Sequence, residues 1–398
     1  MKSSYNGLLT QVSIAHLVSH LHIMTVPSLL PLLPGQMQVS FVELGIAISV
    51  FGIVSGVVQA PLGFLVDRVG ARIMLMAALL LASASFGLLA VLPSYTCLLV
   101  VMVLAGVANG VYHPADYSLL SHGIPSDVMG RAFSIHTFAG FLGAALAPMI
   151  MIGVALATSP RWSFAVSALA ALLGWCVMFV GTAAPGRPAA AATAKSRATE
   201  ETRPLATPVM TLAVLTLMFA LLGLSTGSID KFSVSALIQG FDVSLPAANM
   251  ALTAFLFASA FGVLAGGVLA DRTDKHGYVA VVALGLAALL VVLVIEVRLS
   301  PVLLAVVMGT TGFLTGMVAP SRDMLVRAAS PVGAEGRTFG IVSTGFNVSG
   351  VLGPILFGFL LDRGQASQVL WVTVGFMVAT TIVVLFQERQ QRLVQPAA

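Results

Sequence analysis

Long apolar runs alternate with short polar breaks along the chain, and the runs have membrane-spanning length. A helix crosses a bilayer core with roughly 20 apolar residues. Runs of that kind fall near residues 7–33, 41–66, 72–92, 95–121, 129–157, 161–182, 208–238, 246–269, 278–297, 301–327, 336–361 and 367–386. The pattern predicts an all-α polytopic membrane protein with twelve transmembrane helices. Only one break is long: residues 183–207, rich in Ala and Pro with Arg187, Lys195, Arg197, Glu200, Glu201 and Arg203, read as a polar cytoplasmic linker. It separates an N-terminal six-helix bundle, residues 1–182, from a C-terminal one, residues 208–398. The first run contains Pro27, Pro31 and Pro34 and no small-residue cleavage site, so it reads as a retained span and not a signal peptide.

Two of the short breaks nearly repeat each other. Gly63-Phe-Leu-Val-Asp67-Arg68-Val-Gly70-Ala-Arg72 follows the second run, and Gly267-Val-Leu-Ala-Asp271-Arg272-Thr-Asp274-Lys275-His276-Gly277 follows the eighth. A shift of 206 residues then places Gly106, Gly110, Pro114, Gly130, Arg131, Phe133 and Pro148 on Gly312, Gly316, Pro320, Gly336, Arg337, Phe339 and Pro354. Identities at Gly, Pro and Arg mark a duplication. Two pseudo-symmetric halves about an axis along the membrane normal are expected.

Composition removes other classes. The chain is 58% hydrophobic and only 9% charged, against roughly 25% charged in a soluble domain. Cys97 and Cys176 both lie inside apolar runs, which excludes a disulfide framework. Basic residues cluster at alternate breaks. Lys2, Arg68, Arg72, Arg131, Arg272, Lys275, Arg327, Arg337, Arg389 and Arg392 fall on one side with the linker, and Arg161, Arg298 and Arg363 on the other. By the positive-inside rule both termini are cytoplasmic. The net charge of +4 then reflects topology and not nucleic-acid binding. No Gly-rich loop ends in Lys and Ser or Thr, so ATP is not the expected energy source, and no enzyme constellation or cofactor is expected.

Ionisable groups inside the runs carry the candidate chemistry, because a charge at the bilayer centre costs about 2.5 to 3.5 kcal/mol on insertion scales. In the first run Ser13, His16 and His20 share one helical face, while His22 falls elsewhere. Imidazoles there serve either as proton sites or as interhelical hydrogen-bond glue. Metal ligation is not expected, since no acidic or Cys partner lies on that face. The fourth run presents Asn109, His113, Asp116 and Tyr117 on one stripe, and the tenth presents Thr311, Thr315 and Arg322 with Asp323 adjacent. Asp116 and Arg322 occupy repeat-equivalent positions, so they either form a cytoplasmic gate or pair within their own halves. The seventh run contributes Asp230 and Lys231, with Lys231 and Arg322 suited to an anionic substrate and Asp230 to a proton; Lys231 could instead snorkel outward. His136 and Gln59 are further polar candidates, and Glu43 suits a helix N-terminus.

The two repeated breaks match the Gly-x-x-x-Asp-Arg-x-Gly signature of the major facilitator superfamily, the first closely and the second with an altered tail. The chain resembles that superfamily over essentially its whole length. Ala15-His16-Leu-Val-Ser19-His20, Glu43-Leu-Gly45, Ser55-Gly56-x-x-Gln59 and Tyr112-His113-Pro114-Ala115-Asp116-Tyr117 are similar to a bacterial subgroup that includes fosmidomycin-resistance-type transporters. The resemblance implies a mid-membrane cavity lined mainly by the first, fourth, seventh and tenth helices, opened alternately by rocking of the halves. It also implies a gating role for Gly63, Asp67, Arg68, Gly70, Arg72, Arg131, Gly267, Asp271, Arg272 and Arg337, the Asp latching onto a helix N-terminus of the other half. Two departures count against drug–proton antiport. Met102 and Met308 stand where such antiporters carry Arg, and the fifth-helix Gly-Pro pattern is reduced to Gly143-Ala-Ala-Leu-Ala147-Pro148, although Gly350-Val-Leu-Gly353-Pro354 persists in the eleventh. The expected function is secondary transport of a small organic solute, anionic and proton-coupled, by a monomer in contact with lipid in the bacterial cytoplasmic membrane. Efflux of toxic compounds is the alternative, and a non-transporting sensor the minor one.

Overall fold

The structure, a computed structural model, describes residues 2–125, 128–179, 209–273, 275–330 and 335–394; the side chains of residues 2–5, 130, 335–337 and 390–394 are not described. The expected linker and Asp274 therefore lie outside the described residues, and Gly130, Gly336 and Arg337 are described by their backbone alone. The described chain is helical throughout. Its elements are α1 (Lys2–Leu29), α2 (Leu33–Met37), α3 (Phe41–Val69), α4 (Ala71–Val91), α5 (Tyr95–Gly123), α6 (Met129–Ala157), α7 (Pro160–Val177), α8 (Val209–Phe241), α9 (Leu245–Ala270), α10 (His276–Glu296), α11 (Pro301–Ala329), α12 (Glu335–Asp362) and α13 (Ala366–Val394). All but the short α2 are long and apolar enough to cross a membrane, which makes twelve candidate spans.

Helix ends follow local chemistry. Ser40 accepts from Glu43 N while Glu43 reaches back to Ser40 N, a reciprocal cap at 3.1 and 2.8 Å that starts α3. Ser94 and Ser300, 206 residues apart, cap α5 and α11 in the same way, on Cys97 N and Leu303 N. Gly70 joins α3 to α4 at φ 106°, a conformation open to glycine. Two boundaries differ from the hydropathy reading. The run 7–33 breaks after Leu29, where Pro31 disfavours helical backbone before it, and the last helix runs on to Val394 because Gln387–Arg392 are good helix formers although polar.

The chain divides into two compact units, Met1–Ala198 and Thr199–Ala398. In the first, α1 packs on α6, α5 and α7, α3 on α5, and α4 on α5 and α7. In the second, α8 packs on α12 and α13, α9 on α11, and α10 on α11 and α13. Apart from the contact of α1 with α5, whose counterpart between α8 and α11 is slight, the pairings correspond helix for helix. Close approach is reciprocal too: a Cβ on Gly106 would lie 2.9 Å from the Phe51 carbonyl oxygen, and one on Gly312 would collide with the Phe255 carbonyl. In α1 the buried share of the spanning window is 78%, against 50% or less in every other span. That burial lets α1 carry imidazoles away from lipid.

Candidate functional site

In the first unit, polar side chains from three helices converge. His16 and His20 come from α1 one turn apart, His113, Asp116 and Tyr117 from α5, and His136 from α6. His16 Nδ1 and His136 Nε2 share a hydrogen bond of 2.6 Å. Asp116 Oδ2 stands 3.5 Å from the first nitrogen and 3.7 Å from the second. Both distances exceed a hydrogen bond. Asp116 is 0% exposed, and among the described residues neither of its oxygens has a hydrogen-bond partner. A buried carboxylate in that state needs a positive partner or a proton of its own, because isolated charge is very costly away from water.

Rings complete the cluster. His20 stacks on His16 at 4.6 Å between centroids, His113 meets His16 edge-on at 5.4 Å, and His136 meets it edge-on at 4.0 Å. Tyr117, half exposed, stacks on His113 at 5.9 Å. The room for two imidazoles comes from Gly140 on α6, where a Cβ would overlap the His16 ring and lie 3.1 Å from His20 Cδ2. His136 is thus central, and Gly140 is a residue that sequence reading missed. Its signal was its spacing: it lies one turn after His136 on the same face.

The expectation against metal ligation rested on the absence of an acidic or Cys partner on that face of α1, and α1 itself offers none. An acidic group reaches the face from α5 and a further imidazole from α6, neither visible from the periodicity of α1. Other expected residues have plainer roles. Asn109 Nδ2 donates to Ser55 Oγ at 2.8 Å and braces α5 on α3, and Thr315 Oγ1 donates to the Gly312 carbonyl within its own helix. His22 contacts the Ser167 carbonyl at 3.0 Å and packs on Phe86.

In the second unit, Asp230 and Lys231 line a cavity of about 210 Å³ between α8 and α12, with Thr226, Phe346, Ser349 and Phe357 among its walls. Among the described residues neither charge is in an ion pair. Arg322 is engaged elsewhere: its Nε and Nη2 donate to Asp323 Oδ1 at 2.9 and 2.7 Å, and its guanidinium lies 4.8 Å from the Phe219 ring and 5.0 Å from the Phe346 ring. Within their own units, Arg322 is paired with Asp323 and Asp116 lies nearest to His16 and His136.

The repeated breaks divide by role. Asp67, Arg68, Arg131, Asp271 and Arg272 are exposed at or next to helix ends, and Gly63 and Gly267 lie one turn before the two aspartates. Arg72 instead points into its own unit, donating to Gln11 Oε1 at 3.1 Å and to the Met178 carbonyl.

A family model described as Major Facilitator Superfamily matches residues 12–233 and 215–398. The chain belongs to the Major Facilitator Superfamily. This superfamily member is 26% identical over 271 residues to the Fosmidomycin resistance protein of Escherichia coli (strain K12), covering 68% of this chain and 66% of that one. It is also 26% identical over 360 residues to a probable sulfoacetate transporter, SauU, of Cupriavidus necator, covering 84% and 82% of the two chains. Among solved structures, a bacterial homologue of the human lysosomal transporter Spinster, inward-facing and occupied, superposes with a TM-score of 0.79 over 98% of each chain at 13% identity. That likeness concerns the fold alone. As a superfamily member the chain is a multi-pass membrane transporter by family, in contact with lipid and with a small solute.

Proposed function

We propose that the protein is a secondary active transporter of a small organic anion, driven by the proton gradient, in the bacterial cytoplasmic membrane with both termini inside. The observation that carries the reading is Lys231: a cation inside a spanning helix, facing a cavity, with no ion pair among the described residues. Such a charge in a membrane is a functional group by default. An anion entering beside Lys231 takes up its charge and leaves the adjacent Asp230 to carry a proton, which couples the two loads. Thr226 and Ser349 on the same walls donate their hydroxyls to the Leu222 and Phe346 carbonyls, and rotation of either would turn its donor to the oxygen of a carboxylate or sulfonate. The name of the Cupriavidus relative, a probable sulfoacetate transporter, points the same way.

Efflux is the second reading, favoured by the Escherichia coli relative named for fosmidomycin resistance. Reconstitution in liposomes under an imposed pH gradient separates the possibilities. Accumulation of carboxylates or sulfonates that collapses with the gradient supports the proposal, as does its loss in Lys231→Gln. Accumulation that persists without a gradient overturns proton coupling, and unchanged uptake in Lys231→Gln overturns the anion site. Asp230→Asn is expected to keep anion exchange and lose gradient-driven accumulation. Efflux predicts substrate movement only from the cytoplasmic face.

A further inference from the structure

We propose that His16, Asp116 and His136 form a binding site for a divalent transition-metal cation, with Zn²⁺ as the representative ion. His16 Nδ1, His136 Nε2 and Asp116 Oδ2 come from α1, α6 and α5, are all buried, and lie within 4.8 Å of one another. Two of the three separations, 3.5 and 3.7 Å, already approach the spacing of tetrahedral ligands. Metal–ligand bonds of roughly 2.0–2.1 Å give ligand separations of about 3.3 Å. Only the 2.6 Å contact between the imidazoles must widen, by roughly 0.7 Å to reach that tetrahedral spacing.

The carboxylate supplies the independent argument. Asp116 is fully buried and neither of its oxygens accepts a hydrogen bond from a described residue, although Oδ2 stands 3.5 and 3.7 Å from the two imidazole nitrogens. A cation between it and the two imidazoles would satisfy all three groups at once. The donor set fixes the class of ion: two imidazoles and one carboxylate suit Zn²⁺, Ni²⁺ or Cu²⁺, whereas Mg²⁺ and Ca²⁺ prefer all-oxygen shells. Three protein ligands also leave a fourth position, as in open zinc sites, for water or a small anion. His136 Nδ1 is buried without a partner, so one ligand lacks the outer brace that is typically worth 10- to 100-fold in affinity. Binding is therefore expected to be weaker than at a fully braced site.

The inference does not depend on the anion reading, and its test reads binding alone. Purified full-length protein, without an affinity tag, is dialysed against Zn²⁺ in the presence of excess Mg²⁺. One Zn²⁺ per chain is expected, and Co²⁺ in its place should give the intense visible absorption of a four-coordinate site. Asp116→Asn and His136→Gln should each lower the affinity more than about tenfold, while His122→Ala, an exposed histidine in the last turn of α5, leaves it unchanged. Thermal melting shows whether each variant is folded, and the isosteric Asp116→Asn decides if His136→Gln is not. The proposal is overturned by the absence of saturable binding, by full affinity in folded Asp116→Asn, or by a loss confined to His122→Ala.

Discussion

Gln38 and Asp242 stand 204 positions apart and hold the same left-handed backbone, φ 55° in each. Each turns the chain into the second span of its half, and each is followed by Val and then by the Ser that precedes α3 or α9. The repeat thus runs in a register of 204 up to Asp67 and Asp271, and of 206 beyond them. The second hinge accommodates the difference, which accounts for its altered tail.

Left-handed backbone costs an L-residue about 1–2 kcal/mol, less where Asp bonds locally, and glycine carries an entropic cost of about 0.5–1 kcal/mol instead. Gln38→Gly should therefore stabilise the protein by up to about 1 kcal/mol, and Asp242→Gly should be nearly neutral. Unfolding in detergent, followed by circular dichroism, measures both. Equal destabilisation of the two variants would show that these side chains contribute more than their backbone conformation costs.

Periodicity made the spans, the duplication and the face shared by His16 and His20 legible, because each is a property of one helix or of two similar stretches. It could not show which helices converge. That Asp116 and His136 approach His16 depends on the packing of α1 against α5 and α6, and that packing rests on small residues such as Gly140 whose partners are more than a hundred positions away. Arg322 was legible only in part for a related reason. The adjacent Asp323 could be read from the sequence as a possible partner, whereas the two phenylalanines from other helices that also pack on its guanidinium could not.

Gly140→Ala should disrupt the histidine cluster without touching any charged group. The added methyl would overlap the His16 ring, and overpacking of this kind costs typically about 1–3 kcal/mol. His16 must move away from His136 or α6 from α1. Either way Zn²⁺ affinity should fall together with melting temperature. Gly153→Ala is the control, since a Cβ there meets nothing within 4 Å. Normal melting and normal Zn²⁺ binding in Gly140→Ala would mean that α1 and α6 can separate freely.

Arg72 should behave as a staple and not as part of a moving latch. It ties α4 to Gln11 of α1 and to the Met178 carbonyl just after α7, and Gln11 itself donates to the Val177 carbonyl at 3.1 Å. Arg72→Ala and Gln11→Ala should each destabilise by about 1–3 kcal/mol, as expected for hydrogen bonds to a charged group. The double variant should cost less than their sum, because both remove one network. Uptake per folded molecule should be unchanged in Arg72→Ala. A large fall in that specific rate with normal melting would restore a gating role.

Arg322 and Lys231 separate by chemistry, although both are cations in spanning helices of the same half. Arg322 lies against Phe219 and Phe346 with both donating nitrogens on one oxygen of Asp323, an arrangement that uses a planar guanidinium. Arg322→Lys keeps the charge and loses the stacking, so stability should fall by roughly 0.5–2 kcal/mol. Asp323→Asn should also destabilise, by weakening the partner of a guanidinium only 16% exposed. If Arg322 were instead a ligand of the transported anion, freeing it in Asp323→Asn would tighten anion binding. The contacts predict the reverse order of effects: Asp323→Asn and Arg322→Lys act on melting, and Lys231→Gln acts on the apparent KM for the anion. Phe346 is the residue where the two should meet, since it lines the Lys231 cavity and packs on the Arg322 guanidinium. Phe346→Leu is therefore expected to lower melting temperature and raise KM together, and a change in only one of the two would show that cavity and guanidinium are independent.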